Sequence, residues 1–187
     1  MEPAKRKYHR AAAIEVAREI CNTLKPITDS LMVAGSLRRR RPMVSDIEIL
    51  FIPKWGEEKD GLFDVREFSI VDRQLDRWLA EGVLAKRPNV AGSFTWGAQN
   101  KLGIHVLSGI PVDFFATDAA RWWVALVIRT GGKEMNLQLT TGAQKLGRTL
   151  HAYGRGFTDV DGGELVCHSE EDVFKYAGVT YREPWER

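Results

Sequence analysis

Apolar residues recur at helical spacing through residues 8–24, at Ala12, Ala13, Val16, Ala17, Ile20 and Cys21, and Pro26 supplies the stop. Residues 31–34 are a short apolar run that predicts a strand, broken by Gly35-Ser36 and a block of four arginines. A β-branched run at 46–53 predicts a second strand. Residues 71–81 return to helical spacing, with Val71, Leu75, Trp78 and Leu79 on one face and Gly82 as the stop. The period then shortens: 94–96, 104–107 and 112–115 predict short strands between turn residues such as Gly97, Asn100, Gly103 and Gly109. The Phe, Trp and Gln side chains of 94–99 are expected to pack the sheet.

Asp118 is placed to cap a helix over 119–128, which Thr130-Gly131-Gly132 interrupts before a further helix at 134–145. Residues 157–167 predict a hairpin turning at Asp161-Gly162 or Gly162-Gly163, and Ser169 opens a last helix that Gly178 stops. The expected class is α+β: a mixed sheet with flanking helices over residues 1–117, then a small, mainly helical domain with a hairpin over 118–187.

Composition narrows this picture. At 187 residues the chain can support one good core or two small ones. No apolar run reaches the length of a bilayer span, and no cleavable leader is evident, so a cytoplasmic, non-secreted protein is expected. Cys21 and Cys167 stand alone and predict reduced thiols. The net charge is only +2, but residues 1–45 hold ten Lys or Arg against four acids. That asymmetry suits a polyanionic partner as well as it suits a solvated surface.

The candidate chemistry lies at Gly35-Ser36, Arg38 to Arg41 and the pair Asp46 and Glu48. Side chains two apart on a strand share a face, so Asp46 and Glu48 would stand side by side. Like charges so placed repel unless a cation sits between them, and hard Mg²⁺ favours such oxygen ligands. An isolated Asp-x-Glu is more often two solvated acids on a strand edge. Here Gly35 permits close backbone approach, Ser36 offers a hydroxyl, a turn there would present N–H groups, and the arginines suit phosphate. Asp113 is the polar member of an apolar alternation, costly to bury without a metal or a salt bridge.

The ordered set resembles the DNA polymerase X family. Its elements are Gly35-Ser36, Arg38-Arg39, Asp46/Glu48, the later strand acid Asp113, Thr130-Gly131-Gly132 with Asn136, and the ending Glu170-Glu171-Asp172-Val173-Phe174, Gly178, Tyr181 and Pro184. The resemblance implies a nucleotidyltransferase palm and a closing domain. It implies two Mg²⁺ (or Mn²⁺) ions on Asp46, Glu48 and Asp113, and a triphosphate held by Gly35, Ser36 and Arg39, with Arg38 a weaker candidate. Gly131, Gly132 and Asn136 would contact the sugar and base. The implied substrates are a dNTP and a DNA primer-template or gapped DNA, bound by a monomer. Lys5 to Lys7, Lys133, Lys145, Arg148 and Arg155 are candidates for DNA backbone contacts. No lyase segment precedes the palm, so deoxyribose-phosphate removal is not expected.

Four positions depart from the family pattern: Glu48 stands for an Asp, Ile128-Arg129 for an aromatic pair, Thr140 for a template-reading Arg, and Pro111 for a basic residue. They leave open a template-independent or ribonucleotide-tolerant terminal transferase beside the expected short-gap DNA polymerase. An inactive nucleic-acid-binding relative is disfavoured by the three acids. A small-molecule nucleotidyltransferase would share the acids but not the C-terminal half.

Overall fold

The computed structural model describes residues 6–60, 64–151 and 156–187. A two-residue strand, β1 (Tyr8–His9), leads into α1 (Arg10–Leu24), which buries Ala13, Val16, Ala17, Ile20 and Leu24 on one face. A 3-10 turn at Lys25–Ile27, with Pro26 inside it, delivers the chain to β2 (Thr28–Val33) and the single-turn α2 (Gly35–Arg38). Strand β3 (Met43–Val44) pairs with β1, and β4 (Ile47–Pro53) enters the main sheet. Then come the hairpin β5 (Trp55–Asp60) and β6 (Asp64–Ser69), α3 (Ile70–Ala80), and strands β7 (Leu84–Lys86), β8 (Asn100–His105) and β9 (Ile110–Ala116). Helices α4 (Trp122–Thr130) and α5 (Lys133–Lys145) follow. Strands β10 (Thr149–His151), β11 (Gly156–Thr158) and β12 (Glu164–Leu165) and helix α6 (Glu170–Tyr176) complete the chain.

The main sheet has the order β2-β4-β9-β8-β7, with β4 and β9 parallel and the other pairs antiparallel. Strand β4 lies inside the sheet and is covered on both sides, so Ile47, Ile49, Leu50 and Phe51 are all buried, with Glu48 the acid among them. Ile47, Ile49 and Phe51 join Val112 and Phe114 against α1 and α3. On the other face Leu50 and Phe115 meet Ala125 and Leu126 of α4. A separate core joins α4, α5 and α6 to the small sheet through Val127, Leu139, Phe157, Val173 and Phe174.

The α+β architecture expected from the chain is present, with several local differences. Residues 94–96 form no strand, only isolated bridges from Phe94 to Pro88 and from Trp96 to Lys101. Phe94 does not pack as expected: it is 65% exposed. Trp96 packs partly and donates its indole N–H to Asp76 (2.8 Å). The exposed β5–β6 ribbon escapes the apolar pattern because its strands carry charges at successive positions. Asp118 accepts the Arg121 N–H (3.0 Å) and caps a turn ahead of α4, which starts three residues later than the pattern suggests. The predicted 157–167 hairpin is part of a three-stranded sheet, because β10 adds to its outer edge. Both thiols are free, and burial pushes Cys21 up to about 11 and Cys167 up to about 12. Among the described residues no helix is long and apolar enough to cross a membrane.

Candidate active site

Strand register sets out a row of side chains across the end of the main sheet. Glu48 on β4 stands beside Asp113 on β9, and Asp113 stands opposite Leu102 on β8. Arg87, just past β7, donates its backbone N–H to the Leu102 carbonyl (3.0 Å). Cross-strand partners share a face, so one row carries Glu48, Asp113, Leu102 and Arg87. Asp46 lies just ahead of β4 rather than on the strand, because β4 begins at Ile47. It remains close enough to act on Glu48 electrostatically.

The charges there are poorly balanced. Burial, then the carboxylates of Asp46 and Asp113, push Glu48 up from its ordinary 4.5 to about 7, while Arg129 and Arg39 oppose the shift. Asp113, 7% exposed, is gripped by the Arg87 guanidinium, at 2.7 Å to Oδ1 and 2.6 Å to Oδ2. Among the described residues no three His, Cys, Asp or Glu side chains lie close enough together to hold a metal ion as they stand. The Arg87 grip turns both Asp113 oxygens toward a cation already in the chain.

Gly35 makes the tight approach possible. Its φ is +62°, and a Cβ there would fall 1.8 Å from Glu48 Oε2, so only glycine leaves room for the carboxylate. Ser36 Oγ and Arg39 Nε are buried without a hydrogen-bond partner. Such atoms mark a place where a polar ligand fits. Burial lowers the Arg39 pKa, and Glu48 opposes the change.

The arginine block reaches the C-terminal half. Arg38 donates to Thr130 Oγ1 (2.7 Å) and pairs with Glu170 (2.5 Å), while Arg39 donates to the Thr130 carbonyl. Arg40 lies over the Trp185 ring, and Arg41 donates to the Arg187 carbonyl (2.7 Å). Glu170, 5% exposed, also pairs with Arg187 (2.5 Å).

After α4, Gly131 (φ +40°) and Gly132 (φ +81°) turn the chain. Asn136 crosses that turn, donating Nδ2 to the Ile128 carbonyl (2.9 Å), and its buried Oδ1 has no partner. A cleft of about 450 Å³ opens between the halves, walled by Glu48, Ile128, Arg129, Asn136, Thr140, Leu150 and His151. Arg129 lies over the Phe115 ring at 3.5 Å, and the Thr140 hydroxyl donates to the Asn136 carbonyl (2.9 Å).

Sequence reasoning missed Arg87, His151 and the pairing of Glu170. Arg87 lies 26 residues from Asp113, and only the β7-β8-β9 register joins them. Glu170 read as part of a helix cap; Ser169 does accept the Asp172 N–H (3.1 Å), but Glu170 itself is a buried ion partner. Of the proposed DNA contacts, Lys7, Lys133 and Lys145 are exposed. Arg148 is engaged by the Tyr176 carbonyl (3.1 Å) and Asp159 (3.5 Å), which gives it a structural place in the C-terminal half. Lys5 and Arg155 lie outside the described residues.

Residues 125–187 match the DNA polymerase beta thumb. No curated protein matches the chain by sequence. Among solved structures, the chain is similar to Leishmania infantum polymerase beta in a ternary gap complex, at 17% identity and a TM-score of 0.73. That match covers 97% of this chain and 71% of the other. The chain is therefore polymerase beta-like in fold, and its C-terminal third matches the polymerase beta thumb.

Proposed function

We propose that this polymerase beta-like chain adds deoxynucleotides to the 3′-hydroxyl of a DNA primer, copying a template across short gaps. The observation that carries the reading is the row at the sheet end. Glu48 and Asp113 are register partners on adjacent strands, and Gly35 admits Glu48 beside the unpartnered Ser36 Oγ and Arg39 Nε. Residues 1–117 would form the palm and 118–187 the closing domain of a monomer.

Asp46, Glu48 and Asp113 are the residues that would hold two Mg²⁺ (or Mn²⁺) ions. The fit rests on the donor set: three hard oxygen ligands, with Glu48 pushed up to about 7 by burial first and then by the carboxylates of Asp46 and Asp113. Bound there, such ions would lower the pKa of a 3′-hydroxyl and offset the charge of a departing pyrophosphate.

The chain's own residues supply the rest. Ser36 Oγ and Arg39 Nε are donors for triphosphate oxygens, and Gly35 keeps the approach free of a side chain. Arg38 contributes through Glu170 and Thr130, holding palm and closing domain together around the nucleotide. Gly131, Gly132 and Asn136 form the wall for sugar and base, where Asn136 Oδ1 is an acceptor awaiting a donor. Leu150 and His151 extend that wall.

A second reading, a terminal transferase tolerant of ribonucleotides, is favoured by the same cleft. Its wall presents Ile128 and Arg129, and Thr140 spends its hydroxyl proton on its own helix. Primer extension with Mg²⁺ on gapped, recessed and single-stranded primers, with deoxy- and ribonucleotides, separates the readings. Templated addition of deoxynucleotides, strongest on gaps, is expected. Extension of single strands without template would establish the second reading instead, and binding without extension would leave a nucleic-acid-binding relative.

A further inference from the structure

We propose that Arg87 is an internal counter-ion that holds the Asp113 carboxylate closed against metal until it is displaced. The inference rests on the proposed metal role of Asp113 and assigns Arg87 as its positioning residue.

The grip is unusually complete. Arg87 Nη2 donates to both carboxylate oxygens at 2.7 and 2.6 Å, and Nε adds a third contact to Oδ1 at 3.2 Å. The side chains are 20% and 9% exposed, so the pair is only weakly screened by water. A bidentate, charge-assisted contact of this kind is among the stronger hydrogen-bonded arrangements in proteins. The backbone aims it: Arg87 precedes Pro88, which confines it to extended geometry, and its N–H is fixed on the Leu102 carbonyl.

The carboxylate so held is next in register to Glu48, and Glu48 is pressed by both Asp46 and Asp113. Three acids at one sheet end need cationic charge nearby, and Arg87 supplies it on the Asp113 side. A metal bound by Asp113 must take an oxygen that Arg87 holds. Beside Arg87 lies a cavity of about 150 Å³, bounded by Arg6, Tyr8, Ser45, Asp46 and Pro111, which gives the guanidinium somewhere to go. It could withdraw there without leaving the acid cluster, since Asp46 forms part of the wall. The exchange is one cation for another at a single carboxylate, with no bond made or broken in the chain.

Mn²⁺ binding by the full-length protein, without DNA or nucleotide, tests this through the free-ion electron paramagnetic resonance signal. Four proteins are compared: wild type, Arg87→Gln, Asp113→Asn and the double variant, each checked for native circular dichroism. Arg87→Gln should raise Mn²⁺ affinity about tenfold, the scale of one charge-assisted contact. In the Asp113→Asn background the same change should have no effect. If Arg87→Gln does not fold, Arg87→Lys should show a smaller rise in the same direction, since it loses the two-pronged grip. Unchanged or weakened Mn²⁺ binding, with wild type still stronger than Asp113→Asn, would overturn the Arg87 role and leave the metal role of Asp113 standing. Arg87→Gln binding Mn²⁺ no more tightly than the double variant would overturn both.

Discussion

The two charged regions that follow Gly35, the arginine block and the acid cluster, are built on opposite principles. Along the arginine block, Arg38, Arg39, Arg40 and Arg41 are each engaged by the C-terminal half, through Glu170, Thr130, the Trp185 ring and the Arg187 carbonyl. At the acid end, Asp46, Glu48 and Asp113 crowd like charge at one end of the sheet, and Glu48 is pushed up to about 7. The first region spends its charges inside the protein and ties the main sheet to the C-terminal half. The second crowds acids together, with Arg87, Arg39 and Arg129 offsetting them only in part, an arrangement that costs stability. Cohesion between the two halves and crowded acid charge are thus divided between two groups of residues that meet beside Gly35.

The largest effect is expected where charge is fully compensated. Glu170→Ala leaves Arg38 and Arg187 facing one another without their shared acid, with Arg187 wholly enclosed. It should lower unfolding free energy by about 3–5 kcal/mol, read by urea denaturation. A loss below about 1 kcal/mol would remove the distinction between the regions.

The acid end should show the reverse behaviour. Because the folded state raises Glu48 to about 7, it binds a proton that the unfolded chain releases near 4.5. The stabilisation tied to that proton is full below about pH 4.5 and lost as pH rises through about 7. The metal-free protein should therefore lose up to about 3 kcal/mol across this window relative to Glu48→Gln. Denaturation midpoints of the two proteins from pH 4 to 8, in the presence of chelator, provide the check; parallel curves would show that Glu48 is not under strain.

Gly35→Ala bears on the hinge between the two regions. The new methyl meets Glu48 Oε2 and the backbone sits at φ +62°, so a loss of about 1–2 kcal/mol is expected, together with slower primer extension. Smallest of all should be Ser69→Ala, which removes the cap of α3 and touches neither region. It should cost about 1 kcal/mol and leave extension unchanged, a control for loss of stability alone.

Much of this was legible in the chain because it is local. Helical spacing located α1, α3, α5 and α6 to within a residue or two, and apolar runs located β4 and β9. The short range from Gly35 to Glu48 and the alternation around Asp113 pointed to one end of one sheet. What stayed hidden depends on register and on distant partners. Arg87 reaches Asp113 across β8, Glu170 is buried only because Arg38 and Arg187 converge on it, and His151 reaches the cleft through the pairing of β10 with β11. The β5–β6 ribbon was invisible for another reason: it has no buried face to impose an alternation.

The central claim is that the acids at the sheet end perform nucleotide addition. The most direct measurement is single-turnover extension of a one-nucleotide-gapped DNA primer in Mg²⁺, comparing wild type with Asp113→Asn at matched fold and DNA affinity. The account predicts that wild type adds the templated deoxynucleotide and that Asp113→Asn is slower by about a thousandfold, the scale of several kcal/mol of transition-state stabilisation. Extension by Asp113→Asn at a rate within tenfold of wild type would contradict it.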